Sequence, residues 1–112
     1  MAGKFEVFTG KNDKHYFKLK AGNGEVILAS QGYAAAKDCA NGIESVRRNA
    51  ANVDRFEVLK AADDSSYFVL KATNGQVIGK SQMYKTESGC TNGIDSVQRH
   101  AADASVVEVS ND

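Results

Sequence analysis

Three polar residues, Asn41, Ser45 and Arg48, recur as Asn92, Ser96 and Arg99 with the same i, i+4, i+7 spacing. On a helix that spacing places an amide, a hydroxyl and a guanidinium along one polar stripe. Such groups suit binding a partner, but they supply neither an activated nucleophile nor a general acid–base pair. Solvated or intramolecular hydrogen-bonding roles would use them equally well, and a recent duplication would also keep them identical. A second set lies in strand-like segments, where Tyr16 and Lys20 beside Glu6 are repeated as Tyr67 and Lys71 beside Glu57. Tyrosine rings interleaved with lysines can stack bases or pack on a partner. Cross-strand Glu–Lys pairing on a wet sheet face is the plainer use of the same residues.

The remaining reactive residue types fall into no catalytic pattern. His15 and His100 are not equivalent positions and belong to no Ser/His/Asp, Cys/His or HExxH arrangement. Cys39 and Cys90 are equivalent to each other and lack CxxC spacing, so they read as reduced, core-packed thiols, with a disulfide between the two copies as the alternative. Asp63-Asp64 lacks the flanking ligands of a calcium loop and reads as a solvated turn. The glycines near Asn23 lack the Lys-Ser/Thr continuation of a phosphate loop. No metal and no cofactor is expected.

The elements that must position these residues are written twice. Tyr33–Ala51 returns as Tyr84–Ala102 without insertion, and an offset of 51 residues also superposes Phe5-Glu6-Val7 on Phe56-Glu57-Val58 and Asn23-Gly24 on Asn74-Gly75. Val107-Glu108-Val109 begins the frame a third time. In each copy, alternation predicts strands over Phe5–Phe8, His15–Lys20 and Glu25–Ala29, repeated over Arg55–Lys60, Ser66–Lys71 and Gln76–Gly79. Asn-Gly between the second and third strands predicts a type I′ hairpin.

Cys39, Ile43, Val46 and Ala50, matched by Cys90, Ile94, Val97 and Ala101, form the apolar stripe of a helix that should face the sheet. Thr86 is a good N-cap for the second helix, whereas Ala35 is a poor one for the first. Gly42 and Gly93 imply close approach of a strand or of the other helix. One copy would leave sheet edges unpaired, so the two copies should form one antiparallel sheet with both helices on one face. The strands after the helices would then be exchanged across a pseudo-twofold.

A chain of 112 residues fits one domain, here two repeats of about 3–53 and 54–104 with a last strand at about 105–110. Net charge is zero. Residues 1–53 carry eight basic and five acidic groups and residues 54–112 carry six and nine, which is no basic nucleic-acid footprint. No apolar run approaches the roughly 20 residues of a membrane span, and the first residues lack a signal-peptide core, so a cytoplasmic location away from membranes is expected.

The doubled Asn-Gly hairpin, the Ser-Gln-x-Tyr connector at Ser30 and Ser81, and the Cys-x-Asn-Gly-Ile-x-Ser-Val-x-Arg helix resemble the YegP-like family of small bacterial proteins. The resemblance covers nearly the whole chain. It implies a β(3)-α-β unit, present in tandem or as two subunits, forming a single sheet with exchanged C-terminal strands. It also implies a bacterial origin and supplies no activity. Gln98 and Ser66 stand where the first copy has Arg47 and His15, which argues against any role needing those groups in both halves.

The α+β tandem repeat is therefore read as a non-enzymatic binding or interaction module and as a monomer, because its two copies satisfy each other's pairing. Asn41, Ser45, Arg48, Asn92, Ser96 and Arg99 are the candidate partner-binding set, with a protein as the candidate partner. Single-stranded nucleic-acid binding through Tyr16, Lys20, Tyr67 and Lys71 is one alternative. A small-ligand site or enzyme at the repeat junction, resting on Ser30, Gln31 and Tyr33, is the other.

Overall fold

In the computed structural model of the chain, residues 3–109 are described. Each repeat contributes three strands and a helix: β1 (Lys4–Thr9), β2 (His15–Lys20), β3 (Val26–Ala29) and α1 (Ala36–Ala50), then β4 (Phe56–Lys60), β5 (Ser66–Lys71), β6 (Val77–Lys80) and α2 (Glu87–Ala101). A final strand, β7 (Ser105–Glu108), completes one seven-stranded sheet in the order β4-β5-β6-β3-β2-β1-β7. Residue 110 of the expected last strand lies outside the described residues.

The one-sheet expectation holds with a correction. The sheet is mixed, because β7 runs parallel to β1, from Lys4 opposite Ser105 to Val7 opposite Glu108. Both post-helix strands cross to the other repeat's half. The strand after α1 is β4 itself, which pairs antiparallel with β5. Its counterpart β7 finds the place beside β2 already filled by β1, so it adds outside β1. The repeats join at the centre through β3 and β6, where only Ala29 and Lys80 are paired.

The hairpin type also differs from expectation. Gly24 and Gly75 have φ of +86° and +84°, but Asn23 and Asn74 do not adopt positive φ. Gly24 N–H donates to the Ala21 carbonyl at 2.9 Å, and Ala21 N–H to the Glu25 carbonyl at 2.9 Å. This is a type I turn closed by a left-handed glycine, with the Asn23 amide oxygen accepting from Glu25 N–H at 3.0 Å. The longer loop uses the same device with Asp13 and Asp64 at the positive-φ position.

The predicted apolar stripes are buried: Cys39, Ile43, Val46 and Ala50, and Cys90, Ile94, Val97 and Ala101, pack on Phe5, Phe17, Leu19, Leu28, Phe68 and Leu70. Each helix spans both halves of the sheet, α1 touching β2, β5 and β6 and α2 touching β2, β3 and β5. Neither repeat therefore completes a core without the other. Thr86 caps α2 by accepting from Gly89 N–H at 3.0 Å, and Ala35 offers α1 no such bond.

Two cross-repeat clamps fasten the helix ends. The Arg47 guanidinium lies 5.2 Å from the Phe5 ring centroid and donates to the carbonyls of Ala101, Ala102 and Ala104, the last at 2.8 Å. Its counterpart Gln98 donates to the Ala50 carbonyl at 3.0 Å. Different side chains thus serve one structural task in the two halves.

The mid-helix glycines are explained chiefly by a ring. A Cβ on Gly42 would sit 2.9 Å from Tyr33 Cζ and closer still to its hydroxyl, and the Tyr33 ring is itself stacked on Phe17. The close neighbour is thus the connector before the helix as well as the strand beneath. Gly42→Ala is expected to lower stability by about 1–2 kcal/mol net, overcoming a helix-propensity gain of about 1 kcal/mol. In a Tyr33→Ala background the same change should turn neutral or stabilising. Urea unfolding of the four proteins checks this, and an undiminished loss in that background would contradict it.

Candidate functional site

The polar stripe of α1 borders a cleft of about 580 Å³, lined by Ser45, Arg48 and Asn49 from the helix, Asn52 and Arg55 after it, and Ala72, Thr73 and Asn74 from the hairpin between β5 and β6. Helix and hairpin belong to different repeats, so the cleft exists only in the joined molecule. The pseudo-twofold places Ser96, Arg99 and His100 of α2 against Ala21, Gly22 and Asn23 of the β2–β3 hairpin, bordering a second cleft of about 440 Å³.

Side-chain pairing divides the two clefts. Ser45 Oγ and its carbonyl accept from Asn49 Nδ2 at 3.1 and 2.8 Å. His100 occupies the equivalent place in α2, with Nδ1 2.8 Å from the Ser96 carbonyl and Nε2 accepting weakly from Gly22 N–H at 3.4 Å. Those contacts account for both serines without a ligand. Arg99 is held by Asp95, with Nε 2.9 Å from Oδ2. Arg47 is occupied by its carbonyls and by Glu44.

Of the four arginines, that leaves Arg48 and Arg55, whose side chains have no hydrogen-bond or ion-pair partner among the described residues; both line the first cleft, and no described acidic residue does. In the second repeat Asp103 replaces Asn52 and Val106 replaces Arg55, so the charge of the first cleft is not reproduced. Asn41 and Asn92 are exposed. Asn92 lines a smaller cleft of about 170 Å³ with Asn23 and Ser96.

On the open sheet face the lysines are engaged. Lys20 lies 3.0 Å from Glu6, whose carboxyl is held below the usual carboxylate range chiefly by that hydrogen bond, with Lys4 adding to it. Lys71 pairs with Glu57. Tyr16 stacks on Phe8 at 5.5 Å and its hydroxyl accepts from Asn12 Nδ2, while Lys80 lies over the Tyr67 ring at 4.9 Å. The face is a set of internal pairs that carries acid as well as base.

At the repeat junction a cavity of about 330 Å³ is lined by Ser30, Gln31, Gly79, Lys80 and Ser81 among others. Both serine hydroxyls are committed, accepting from Phe17 and Phe68 N–H at 2.9 Å and donating to the Gln31 and Gln82 carbonyls at 2.8 Å. Tyr33 faces Gly42 instead of that cavity. Cys39 and Cys90 are free and buried, and burial pushes both thiols up, away from the nucleophilic thiolate. Asp63 is a turn residue accepting from Ser65 N–H, which holds its carboxyl low. Among the described residues no group of three or more His, Cys, Asp or Glu is placed to hold a metal ion, and no helix is long and apolar enough to cross a membrane.

Arg55 is the functional candidate that the repeat pattern does not mark. It lies outside the repeated stripe, and its only sequence signal is negative, the failure of the second copy to repeat it. Reading the two copies for differences in charge would have picked it out.

Comparison with known proteins gives a consistent picture. A family model described as a domain of unknown function, DUF1508, matches twice, at residues 11–57 and 61–108. Each match runs from before the second strand of a repeat into the strand after its helix. A UPF0339 protein from the ptx operon 5′ region of Stutzerimonas stutzeri is 48% identical over 99% of this chain and 100% of its own length. A UPF0339 protein of Pseudomonas aeruginosa is 43% identical over 98% and 100%.

Among solved structures, the solution structure of the protein of unknown function yegP from E. coli superposes with a TM-score of 0.93 at 40% identity, covering 100% of this chain and 97% of that one. A UPF0339 protein from Shewanella oneidensis gives 0.91 at 42%, covering 98% and 93%. No enzymatic activity is indicated for any of these relatives. With both repeats matched and relatives above 40% identity along its length, the chain belongs to the DUF1508 family, as a tandem-repeat member of the UPF0339, YegP-like group.

Proposed function

We propose that the protein is a non-enzymatic binding module and that the cleft between α1 and the β5–β6 hairpin seats an anionic group of its partner. One observation carries this reading: among the described residues, the two arginines whose side chains have no partner line the same cleft, and no carboxylate lines it. Arg48 in the last turn of α1 also complements the negative end of the helix. Arg55, beyond that helix, has no such duty. Around them the Asn52 and Asn74 amides and the Thr73 hydroxyl supply neutral donors suited to a carboxylate or phosphate oxygen.

The test is titration of the isotope-labelled full chain with pyrophosphate and, separately, with a glutamate-rich peptide, followed by amide shifts. Shifts confined to Arg48, Asn49, Arg55 and Thr73 are expected, weakening with salt. Arg48→Ala with Arg55→Ala should cut affinity at least about tenfold, since a hydrogen bond to a charged group is worth about 1.5–3 kcal/mol. Equal affinity in the double variant, or shifts centred on Arg99, would remove the proposal. The two ligands separate a phosphate from a carboxylate preference.

A further inference from the structure

The pseudo-twofold leaves one strand position empty. In the first repeat β7 lies parallel to β1, and Val109 N–H donates to the Val7 carbonyl at 2.9 Å. In the second repeat β4 is the equivalent of β1, residue for residue at Phe56-Glu57-Val58, and among the described residues no strand lies beyond it. We infer that the outer edge of β4 is a docking site for an extended segment of another polypeptide, rich in β-branched residues and running parallel to β4.

Side-chain burial supports the vacancy independently of the strand order. Phe5 is fully buried and Val7 half-buried, whereas their counterparts Phe56 and Val58 are half-buried and 45% exposed. The same residues on the same scaffold are thus left uncovered where the extra strand is missing.

Backbone geometry points the same way. Val7 uses its outward carbonyl on β7, so by the alternation of strand hydrogen bonding Phe5 and Val7 present their N–H and C=O groups away from β2. The 51-residue offset gives Phe56 and Val58 the same outward orientation on β4; the Phe56 N–H is taken by the Val53 carbonyl of the turn before the strand, so the open groups are the Phe56 carbonyl and the N–H and carbonyl of Val58. An edge of this kind is completed by strand addition, with main-chain bonds giving affinity and alternate side chains giving selectivity.

The occupant's chemistry is read from the existing β1–β7 pair. There the guest sequence is Ser105-Val106-Val107-Glu108, followed by Val109, and it contains no proline. This chain's own segment of that kind is already committed to β1, with Arg47 fastening the turn that leads into it. A segment from a different protein is therefore the guest.

The experiment uses the full chain and a peptide copying residues 104–109. Without peptide, the Val58 amide should exchange with solvent much faster than that of Val7. With peptide at about ten times its dissociation constant, exchange at Val58 should slow roughly tenfold. A peptide with proline in place of Val107 should give no protection, because its N–H is lost. Val58→Pro in the chain should abolish binding while leaving the remaining spectrum intact, since an outward-facing edge position tolerates proline. Absence of protection at Val58, protection on β1 through displacement of β7, or self-association through β4 without peptide in sedimentation would each overturn the inference. None of these readouts depends on Arg48 or Arg55, so this edge and the cleft stand or fall separately.

Discussion

Exchanging the residues at one equivalent position of the two repeats, Leu28→Gly together with Gly79→Leu, is expected to restore most of the stability that each single change removes. Leu28 on β3 is fully buried, and its counterpart 51 residues on is Gly79 on β6. A Cβ built on Gly79 would lie 2.7 Å from both Cγ and Cδ2 of Leu28. The two equivalent positions share one volume at the seam. Two leucines cannot fit there, and two glycines would leave a hole.

Leu28→Gly alone should cost about 3–5 kcal/mol, through lost burial, the cavity left behind and the flexibility of a strand glycine. Gly79→Leu alone forces overpacking and should cost about 1–3 kcal/mol. The exchanged double variant should return to within about 1–2 kcal/mol of the starting protein, a coupling far outside ordinary additivity. Urea unfolding of the four proteins measures the cycle. Losses that simply add would show that the two positions do not compete for one site.

That seam also shows what the sequence could and could not convey. The 51-residue offset and the doubled 4-3-4 apolar spacing on the helices made the tandem architecture and the buried stripes readable, since both are periodic properties. Symmetry was the wrong guide wherever the copies meet. At the axis one residue must give way to its twin, so Leu28 faces Gly79; a mismatch that looks like drift is a packing requirement. Parallel pairing of β7 is not written in the sequence for a related reason. Its frame matches Phe5-Glu6-Val7, but no sequence pattern records that the place beside β2 is already filled. The left-handed glycine of the Asn-Gly turn is common to two hairpin types, so the dipeptide located the turn without fixing its form.

The candidate site was legible only in part. Identity between copies drew attention to Asn41, Ser45 and Arg48 with Asn92, Ser96 and Arg99, yet Ser45 and Ser96 serve their own helices through Asn49 and His100. What distinguishes the first cleft is a difference between copies: Arg55 and Asn52 against Val106 and Asp103, with Arg48 unpaired while Asp95 holds Arg99. The same holds for Arg47 and Gln98. Their non-identity argues against a role needing an arginine in both halves, and the role they do share needs none: both donate to carbonyls at the end of the opposite helix, a task that any side-chain N–H of sufficient reach can perform.

Arg47→Ala is accordingly expected to be among the most damaging single substitutions outside the apolar core, at about 2–4 kcal/mol. Three carbonyls at and beyond the end of α2 lose a charged donor, and the partly buried ones keep no substitute. The cation lying over Phe5 is also lost, removing cover from a fully buried ring. Gln98→Ala removes one neutral hydrogen bond and should cost about 1 kcal/mol, so the ratio of the two losses tests whether charge and multiplicity set the strength of each clamp. Arg47→Gln should recover part of the deficit, because the second repeat shows that a glutamine can reach the opposite helix end. The loss should be local as well as global: amide exchange at Val109, whose N–H is bonded to Val7, should quicken in Arg47→Ala more than exchange in β5. Equal losses for Arg47→Ala and Gln98→Ala, with exchange at Val109 unchanged relative to β5, would mean that β7 is held by its ladder with β1 alone.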